Sequence, residues 1–473
     1  MTLAITFNCS EEKCTSMYDR IREEVLKKIK PSPEEESAVD KLLTRLLNVA
    51  KSASGLNPVF VGSTGKGTWL SGDHDIDLFL PFHVDVSRED LERHGIAYGK
   101  KIASRMKGST IIKYAEHPYT QANIEGYKVD IVPCYRIKRN EKIKSAVDRS
   151  PLHLEYVHQN LAPNAKDEVR LLKQFCKGIS IYGSDTKTQG ISGYICELLV
   201  IKYGRFENVL RNVSKWEMPV VIDTQNLAVS RDLHRKFRDS ALIMVDPVDN
   251  ERNAAANMSA ENVNVLTEES KKYVSDPDKN AFFPLPAKEL STTETNALKK
   301  RETKFVIVRF PKIDDIDDVV YPQARRLLKN LISVLKHSDF SIIRAYEWID
   351  KSIYFIIEFE TFGLPLVNKI TGPPVAETEH CKAFAKRYAD ESNASTYIEG
   401  NRWVAERRRA YREPEEVLKS IVGKTKTEMT EGGVPEKIAA NFKKAVVLKD
   451  SEAFGEIRKN KDLSKFLKKK YFS

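Results

Sequence analysis

The 473-residue sequence lacks several features that would place it outside the ordinary globular class. No run of about eighteen apolar residues occurs, so we predict no membrane-spanning helix. The first residues do not combine a basic start with an apolar run and a cleavage site, which argues against a secretion signal. The six cysteines form no CxxC pair, which argues against structural zinc and disulfides and favours the reducing cytoplasm. No internal repeat or low-complexity tract stands out.

The sequence does carry an excess of positive charge. Its formal net charge is +10, and the residues from 371 to the end contain 22 Lys and Arg against 16 Asp and Glu. A basic balance favours polyanionic partners, and nucleic acid is the first of them. On charge alone, a solvated lysine-rich surface of the kind found in proteins from hot environments remains the alternative.

Helices and strands are mixed along the chain without a regular βαβ repeat, which predicts an α+β multidomain protein. In the first part, the periodicity of apolar residues predicts helices over 15–30 and 33–53 and another that begins at about residue 66. Strands are predicted over 57–61, 75–80, 110–115 and 127–132, with a polar turn around Asn123 and Gly126 between the last two.

From residue 153 to 285 the pattern is mostly helical and includes a predicted helix over 261–286. Beyond it, predicted strands over 304–310 and 352–359 bracket a helix over 322–337, and the chain ends in a basic helical segment. A proline-rich stretch ending at Pro286 indicates a boundary. We therefore predict domains over 1–152, 153–286 and 287–473.

Two aspartates on one predicted strand are the first candidates for chemistry. Residues two apart in a strand project from the same face, so Asp75 and Asp77 point one way and their apolar neighbours the other. Repulsion makes this arrangement costly unless a divalent cation or solvent neutralises it. About a dozen residues upstream, Gly62 and Ser63 begin a loop whose backbone N–H groups can cradle phosphates, and Lys66 adds a cation.

A third acid, Asp130, lies on the predicted strand 127–132, on the face opposite to its main apolar set. Two metal ions bridged by such acids suit in-line phosphoryl displacement. One ion lowers the pKa of the attacking hydroxyl, and the other neutralises charge on the leaving group. We therefore predict that Asp75, Asp77 and Asp130 are catalytic and bind Mg²⁺. A lone Asp-x-Asp is usually an exposed loop pair, but the upstream loop and the third acid favour the catalytic interpretation.

The string GSTGKGTWLSGDHDID over residues 62–77 resembles the archaeal, class I CCA-adding enzymes, which are tRNA nucleotidyltransferases of the DNA polymerase β-type superfamily. Further segments resemble the same family in the same order: YAEHPY (114–119), VDRSPLH (147–153), LLKQF (171–175), IYG (181–183), SGY (192–194), DP (246–247) and NERNAA (250–255). Beyond about residue 260 the resemblance thins to GPP (372–374) and RW (402–403).

The resemblance implies a polymerase β-type nucleotidyltransferase head, a mostly helical central domain and an α+β RNA-binding C-terminal region. It also implies template-independent addition of CMP, CMP and AMP to the tRNA 3′ end, with CTP and ATP as substrates, Mg²⁺ as cofactor and a homodimeric state. A poly(A) polymerase or oligoadenylate synthetase relative would share the carboxylates and remains an alternative. A catalytically inactive RNA-binding module is a second alternative, which the three intact acids disfavour.

The same resemblance implies a nucleotide site formed by Gly62, Ser63, Lys66, His117, His153, Lys173 and Tyr182. Position 66 is often arginine in the family, and lysine keeps the charge but loses the planar fork. Taken singly, each of these residues has an ordinary structural alternative. The histidines could be hydrogen-bonded core residues, Lys173 could lie exposed on a helix, and Tyr182 could pack in a loop.

Arg252 is implied in reading the base. Cytosine and adenine present an acceptor nitrogen on the Watson–Crick edge, where uracil and guanine present a donor. A guanidinium offers only donors, so it can pair with the first two and leaves a costly mismatch with the others. A salt-bridged Arg252, with the RNA backbone and the pocket shape selecting the base, is the alternative.

The basic C-terminal region then has a possible partner, because folded tRNA is recognised by shape and phosphates. The candidates for RNA binding combine cationic and aromatic side chains within a short segment: Arg402, Trp403, Arg407, Arg408 and Arg409. A solvated basic helix is an equally open alternative for any one of them.

Overall fold

A computed structural model describes residues 11–73, 75–114, 116–139, 141–225, 230–389 and 395–472. The chain divides into two compact units, Met1–Leu285 and Pro286–Ser473. Each contains helices together with mixed or antiparallel sheets, as the predicted α+β class requires. Within the described ranges, no helix has the length and apolar character needed to cross a bilayer.

The first unit contains the helices α1 (Glu11–Ile29), α2 (Pro33–Ser54), α3 (Gly62–Lys66), α4 (Arg88–Arg105), α5 (Arg149–Asn160), α6 (Lys166–Gly178), α7 (Gly193–Tyr203), α8 (Phe206–Val213), α9 (Ser230–Lys236) and α10 (Ala260–Ser275). Its strands are β1 (Val59–Val61), β2 (Asp75–Phe82), β3 (Ser109–Tyr114), β4 (Pro118–Ile124), β5 (Tyr127–Tyr135), β6 (Val220–Ile222), β7 (Leu242–Asp246) and β8 (Asp249–Asn253).

A five-stranded sheet has the strand order β1-β2-β5-β4-β3. The two strands that carry the predicted catalytic acids, β2 and β5, run parallel, while the other neighbouring pairs are antiparallel. One face of β2 presents Ile76, Leu78 and Leu80, which are buried in a core shared with Leu42 and Leu46 of α2. Since side chains alternate along a strand, the aspartates of β2 lie on the opposite face.

The structure differs from the predicted elements of this unit at three places that matter for the site and its surroundings. β4 occupies part of the stretch predicted as a polar turn, because Thr120, Ala122 and Ile124 alternate inward while polar neighbours face outward. The helix expected to begin near residue 66 instead ends there, and Gly67 follows it with a left-handed φ of 69°. The helix predicted over 261–286 ends at Ser275, because Pro277 disfavours helical geometry at the residue before it.

In the same unit, α6, α7 and α8 pack with β6 and β7 around a second core. β6 pairs parallel to β7, and β8 pairs antiparallel to it. Phe175, Phe206, Tyr273 and Phe282 form a cluster of aromatic rings whose centroids are separated by 5.5–5.8 Å. Edge-to-face aromatic pairs of this kind stabilise the packing of α6, which carries the predicted site residue Lys173.

The second unit contains α11 (Thr292–Lys299), α12 (Asp317–His337), α13 (Thr378–Ala389), α14 (Pro414–Val422), α15 (Lys426–Glu431), α16 (Glu436–Phe442), α17 (Asp450–Lys459) and α18 (Lys461–Phe472). Its strands are β9 (Lys304–Pro311), β10 (Ile342–Ile349), β11 (Ser352–Phe359), β12 (Val367–Pro374), β13 (Ser395–Glu399), β14 (Arg402–Arg408) and β15 (Val446–Lys449).

Two sheets organise this unit, one in the order β10-β11-β9-β15 and one in the order β12-β14-β13. β9 is buried on both faces: Val306 and Val308 pack on the α12 side, whereas Phe305 and Ile307 pack with α17 and α18. That two-sided burial explains the continuous apolar run that predicted the strand. α12 begins five residues before its predicted start and includes Pro322 in an early turn.

Candidate active site

The three predicted catalytic aspartates lie on adjacent parallel strands of the first unit. Asp77 of β2 is directly opposite Asp130 of β5, and Asp75 lies two residues earlier on β2. All three line one cavity of about 490 Å³. The Gln121 amide donates to Asp130 Oδ1 at 2.7 Å, and Lys128 Nζ lies 3.1 Å from Asp75 Oδ1. The strand register therefore brings together acids that are more than fifty residues apart in sequence.

Asp77 is the most strongly perturbed of the three acids. Burial, together with the charges of Asp130 and Asp75, raises the pKa of Asp77 to about 6. Among the described residues, no three acidic, histidine or cysteine side chains are arranged to hold a metal ion as they stand, and Asp75 is turned toward Lys128. The candidate metal ligands, Asp75, Asp77 and Asp130, nevertheless all offer carboxylate oxygens, which are the ligands that hard divalent cations prefer.

Gly62 is fixed at its position by two independent constraints. Its φ is +63°, and a Cβ there would stand 1.9 Å from Asp77 Oδ2. Only glycine satisfies both the left-handed backbone and this close approach. Ser63 follows at the start of α3 and lines the same cavity. The loop and the central aspartate are thus packed directly against each other.

The two predicted phosphate-binding lysines are buried in the cavity wall, where they share one carboxylate. Lys66 is 6% exposed and Lys173 is 2% exposed. Glu197 of α7 accepts hydrogen bonds from Lys66 Nζ at 2.7 Å and from the Thr68 hydroxyl at 2.7 Å, and it lies 3.6 Å from Lys173 Nζ. Although burial opposes ionisation, the two lysines lower the pKa of Glu197. The exposed position considered for Lys173 is therefore wrong.

His153 and Tyr182 also line the cavity, together with Tyr194, which the sequence did not single out as a site residue. The rings of His153 and Tyr194 stack with centroids 3.9 Å apart, and Lys66 Nζ lies 4.8 Å from the Tyr194 centroid. His153 Nε2 is 2.9 Å from Asp246 Oδ2. Burial lowers the pKa of His153 despite this neighbouring carboxylate.

Three family models match successive parts of the chain. Residues 43–153 match the nucleotidyltransferase domain, residues 167–283 match the second domain of tRNA nucleotidyltransferase, and residues 301–444 match the C-terminal domain of the CCA-adding enzyme. Curated CCA-adding enzymes of archaea are similar over most of their length. The one from Halobacterium salinarum is 38% identical over 376 residues, which cover 78% of this chain and 81% of that protein.

The CCA-adding enzyme of Methanosarcina acetivorans is 36% identical over 410 residues, covering 85% of this chain and 88% of that protein. The one from Methanocaldococcus jannaschii is 37% identical over 383 residues, covering 78% and 84%. This chain belongs to the CCA-adding enzyme family. It is therefore a tRNA nucleotidyltransferase, and the predicted multidomain architecture with a nucleotidyltransferase domain is confirmed.

Two residues expected at the nucleotide site of a CCA-adding enzyme do not line the cavity. The His117 ring is buried, and its Nε2 lies 2.7 Å from the carbonyl oxygen of Pro133, so it packs as a structural histidine. Arg252 donates to Asp246 Oδ2 at 2.7 Å, and Asp246 in turn contacts His153, which does line the cavity. The other predicted members, Gly62, Ser63, Lys66, His153, Lys173 and Tyr182, all line it.

The five predicted RNA-binding residues of the second unit do not share one face. They lie on or directly after β14, where alternation places Arg402 and Arg408 on one side and Trp403 and Arg407 on the other. Arg402 Nη1 donates to the Gly372 carbonyl at 2.7 Å, and Arg409 forms an ion pair with Asp339. Of the five, Arg402 and Arg408 are the exposed ones.

Sequence reasoning missed Glu197 and the role of Asp246. Glu197 stands between Cys196 and Leu198 in a mostly apolar helix, and an acid in the buried part of such a helix indicates a buried partner. Asp246 ends the fully buried strand β7, which is the same kind of signal. Neither sequence context identifies the partner, because Lys66 is 131 residues from Glu197 and His153 is 93 residues from Asp246.

Proposed function

We propose that this chain builds and repairs the 3′-terminal CCA of tRNA without a template, transferring CMP, CMP and AMP from CTP and ATP. The observation that carries the proposal is the single cavity lined by Asp75, Asp77 and Asp130 together with the buried lysines, in a member of the CCA-adding family. In each step the tRNA 3′-oxygen attacks the α-phosphorus, the α–β bridging bond breaks, and pyrophosphate leaves.

Asp75, Asp77 and Asp130 are the residues that would hold two Mg²⁺ ions. When bound, such ions lower the pKa of the attacking hydroxyl and neutralise charge on the pyrophosphate. The pKa of Asp77, raised to about 6, accords with this assignment, because a carboxylate crowded by two others gains most from a bound cation.

Ser63, Lys66, Lys173, Tyr182 and His153 are proposed to bind the triphosphate. Lys66 and Lys173 share one carboxylate, Glu197, so this cluster of three side chains has more cations than anions to offer an anionic ligand. His153 and Tyr182 extend the same wall with polar tips on largely buried rings. Their rigid packing holds the donors in place before the nucleotide arrives, which lowers the entropy cost of binding.

Arg252 is proposed to select the base, because its guanidinium offers donors to cytosine and adenine. We further infer that residues 1–152 and 153–286 act as the catalytic and nucleotide-binding domains and that 287–473 binds tRNA as part of a homodimer. Buried thiols without a disulfide support the assignment to the cytoplasm, and four such cysteines are Cys134, Cys176, Cys196 and Cys381.

The test is to offer labelled ATP, CTP, GTP and UTP separately and in mixtures to tRNA lacking its CCA end, in the presence of Mg²⁺. Ordered addition of two C residues and one A supports the proposal. Long poly(A) tails would instead support the poly(A) polymerase alternative. Absence of incorporation with tight tRNA binding would support the inactive RNA-binding alternative. Asp130→Asn should abolish transfer while leaving tRNA binding nearly unchanged.

A further inference from the structure

A single buried carboxylate connects two parts of the proposed nucleotide site. Asp246 lies at the end of β7 and is fully buried. Its Oδ2 atom accepts hydrogen bonds from His153 Nε2 at 2.9 Å and from Arg252 Nη1 at 2.7 Å. Its Oδ1 atom accepts from the Tyr194 hydroxyl at 3.2 Å and from the Val248 backbone N–H at 3.2 Å. Every lone-pair direction of this carboxylate therefore faces a donor.

These contacts keep Asp246 ionised. Burial favours the neutral acid, but the hydrogen bond from His153 and the charge of Arg252 outweigh it and lower the pKa of Asp246 to about 2. Hydrogen bonds to an ionised carboxylate are shorter and about twice as strong as neutral ones. The Arg252 side chain, by contrast, is 37% exposed and has several rotatable bonds. Its bond to Asp246 is thus a strong restraint on an otherwise mobile guanidinium.

We propose that Asp246 is a positioning residue for base selection, because it fixes the Arg252 guanidinium at a set distance from His153. This inference rests on the proposed function, in which Arg252 pairs with the base and His153 contacts the triphosphate. With both side chains held on one carboxylate, a nucleotide whose phosphates bind at His153 meets the Arg252 donors in one orientation. Discrimination by hydrogen bonding depends on such fixed geometry, since a mobile guanidinium can avoid a mismatched donor.

Asp246→Asn removes the charge while nearly preserving the volume. An amide has one acceptor oxygen in place of two, and its NH₂ group would face N–H donors of His153 or Arg252. The expected result in steady-state assays with tRNA ending in CC or lacking CCA is a fall of about tenfold or more in the ratio of kcat/KM for CTP or ATP over that for UTP or GTP. The KM for the correct nucleotides should rise more than kcat falls.

Tyr194→Phe provides a milder second variant. It keeps the ring stacked on His153 and removes only the hydroxyl that donates to Asp246, so the same ratio should fall by a smaller factor. In an Arg252→Ala background, Asp246→Asn should add little further loss of discrimination, because the guanidinium that it positions is already absent. Such non-additivity is the expected signature of two residues that act as a unit.

Glu168→Gln is the matched control. Glu168 is also a buried acid of the first unit, but it accepts from Arg22 Nη2 at 2.5 Å and from the Phe206 backbone N–H at 2.9 Å and does not line the cavity. It should lower thermal stability and leave the nucleotide ratio unchanged. The inference is overturned if Asp246→Asn and Tyr194→Phe also leave the ratio unchanged, or if the losses of Asp246→Asn and Arg252→Ala are additive. Failure of the proposed function is distinguished in the same assay, because the unaltered chain would then not add CCA.

Discussion

At the scale of the residue, Asp77, a proposed ligand of the catalytic metal ions, carries a cost in stability. Its pKa rises from 3.8 to about 6 in the folded protein, and a difference of about two pH units corresponds to roughly 3 kcal/mol of unfolding free energy. We expect Asp77→Asn to abolish transfer and, with metal chelated at pH 7, to raise the unfolding free energy by up to that amount. Chemical denaturation followed by circular dichroism measures the change.

The pH dependence of this effect has a definite sign. Between pH 3.8 and about 6 the folded protein binds the Asp77 proton and the unfolded chain releases it, so stability falls as pH rises through this window. The Asp77→Asn variant has no carboxyl group to titrate at this position and does not lose stability in this window. Its gain in unfolding free energy over the unaltered chain should therefore vanish below pH 3.8. Asp75→Asn is the control: the side chain is 69% exposed, so transfer should be lost without the gain in stability. An equal gain in both variants would contradict this explanation.

Gly62 offers a second prediction at this scale. Gly62→Ala should destabilise the protein by more than the roughly 1–2 kcal/mol of a left-handed alanine, because the new Cβ would also displace Asp77. Transfer should fall by orders of magnitude, measured as single-turnover incorporation. Gly55→Ala separates the two effects, since Gly55 has a similar φ of +70° and a Cβ there meets nothing within 4 Å. A similar loss of activity in both variants would rule out the contact with Asp77 as the cause.

The residues that could be predicted from sequence are those whose role follows from local geometry. Asp75 and Asp77 share a face because strand periodicity is two, and Gly62 stands at a position that only glycine tolerates. The placements of His117 and Lys173 could not be predicted in this way. They depend on which distant backbone or carboxylate each side chain meets, and no local pattern encodes those partners.

At the scale of the element, the mostly apolar helix α7 carries one buried charge, Glu197. Glu197→Gln removes the carboxylate that compensates Lys66 and Lys173, which leaves two ammonium groups in a largely dry wall. We expect a loss of about 3–5 kcal/mol in unfolding free energy, the usual effect of breaking a buried ion pair. Nucleotide KM should also rise, because burial lowers the pKa of Lys173 and Glu197 opposes that shift. Denaturant melts and KM values for CTP and ATP measure the two effects.

The control for α7 is an ion pair at the surface of the same unit. Glu125→Gln breaks the ion pair with Arg45. Because the side chain of Arg45 is 54% exposed and that of Glu125 is 49% exposed, the substitution should change neither the unfolding free energy nor the KM appreciably. Comparable losses in the two variants would show that burial of Glu197 is not the cause.

The missed strand β4 shows why some elements could not be predicted from the sequence. β4 was missed because its outward face is polar, and burial of its inward face depends on α4 packing over it.

At the scale of the whole molecule, the class of the fold could be predicted from the sequence, whereas the arrangement of the basic side chains on β14 could not. Apolar periodicity is set by each element's own core, so strands such as β9 and β11 could be recognised without knowing their neighbours. The basic segment of β14 was chosen by composition alone, and composition does not reveal that alternation splits it between two faces or that Asp339 pairs with Arg409. The net charge of a segment predicts the class of its partner, whereas the residues that can contact that partner depend on how the sheet orients their side chains.

The net charge of +10 predicts that electrostatic attraction contributes to the binding of tRNA by the whole chain. Affinity should fall steeply with added salt, because each neutralised phosphate releases counterions. Arg408 is exposed on β14, so Arg408→Gln should weaken binding and reduce the slope of log Kd against log salt by about one contact. Arg409 is already paired with Asp339, so Arg409→Gln should change the slope less. Filter binding over a salt series measures both slopes, and a salt-independent Kd, or a larger change at position 409, would refute this electrostatic account.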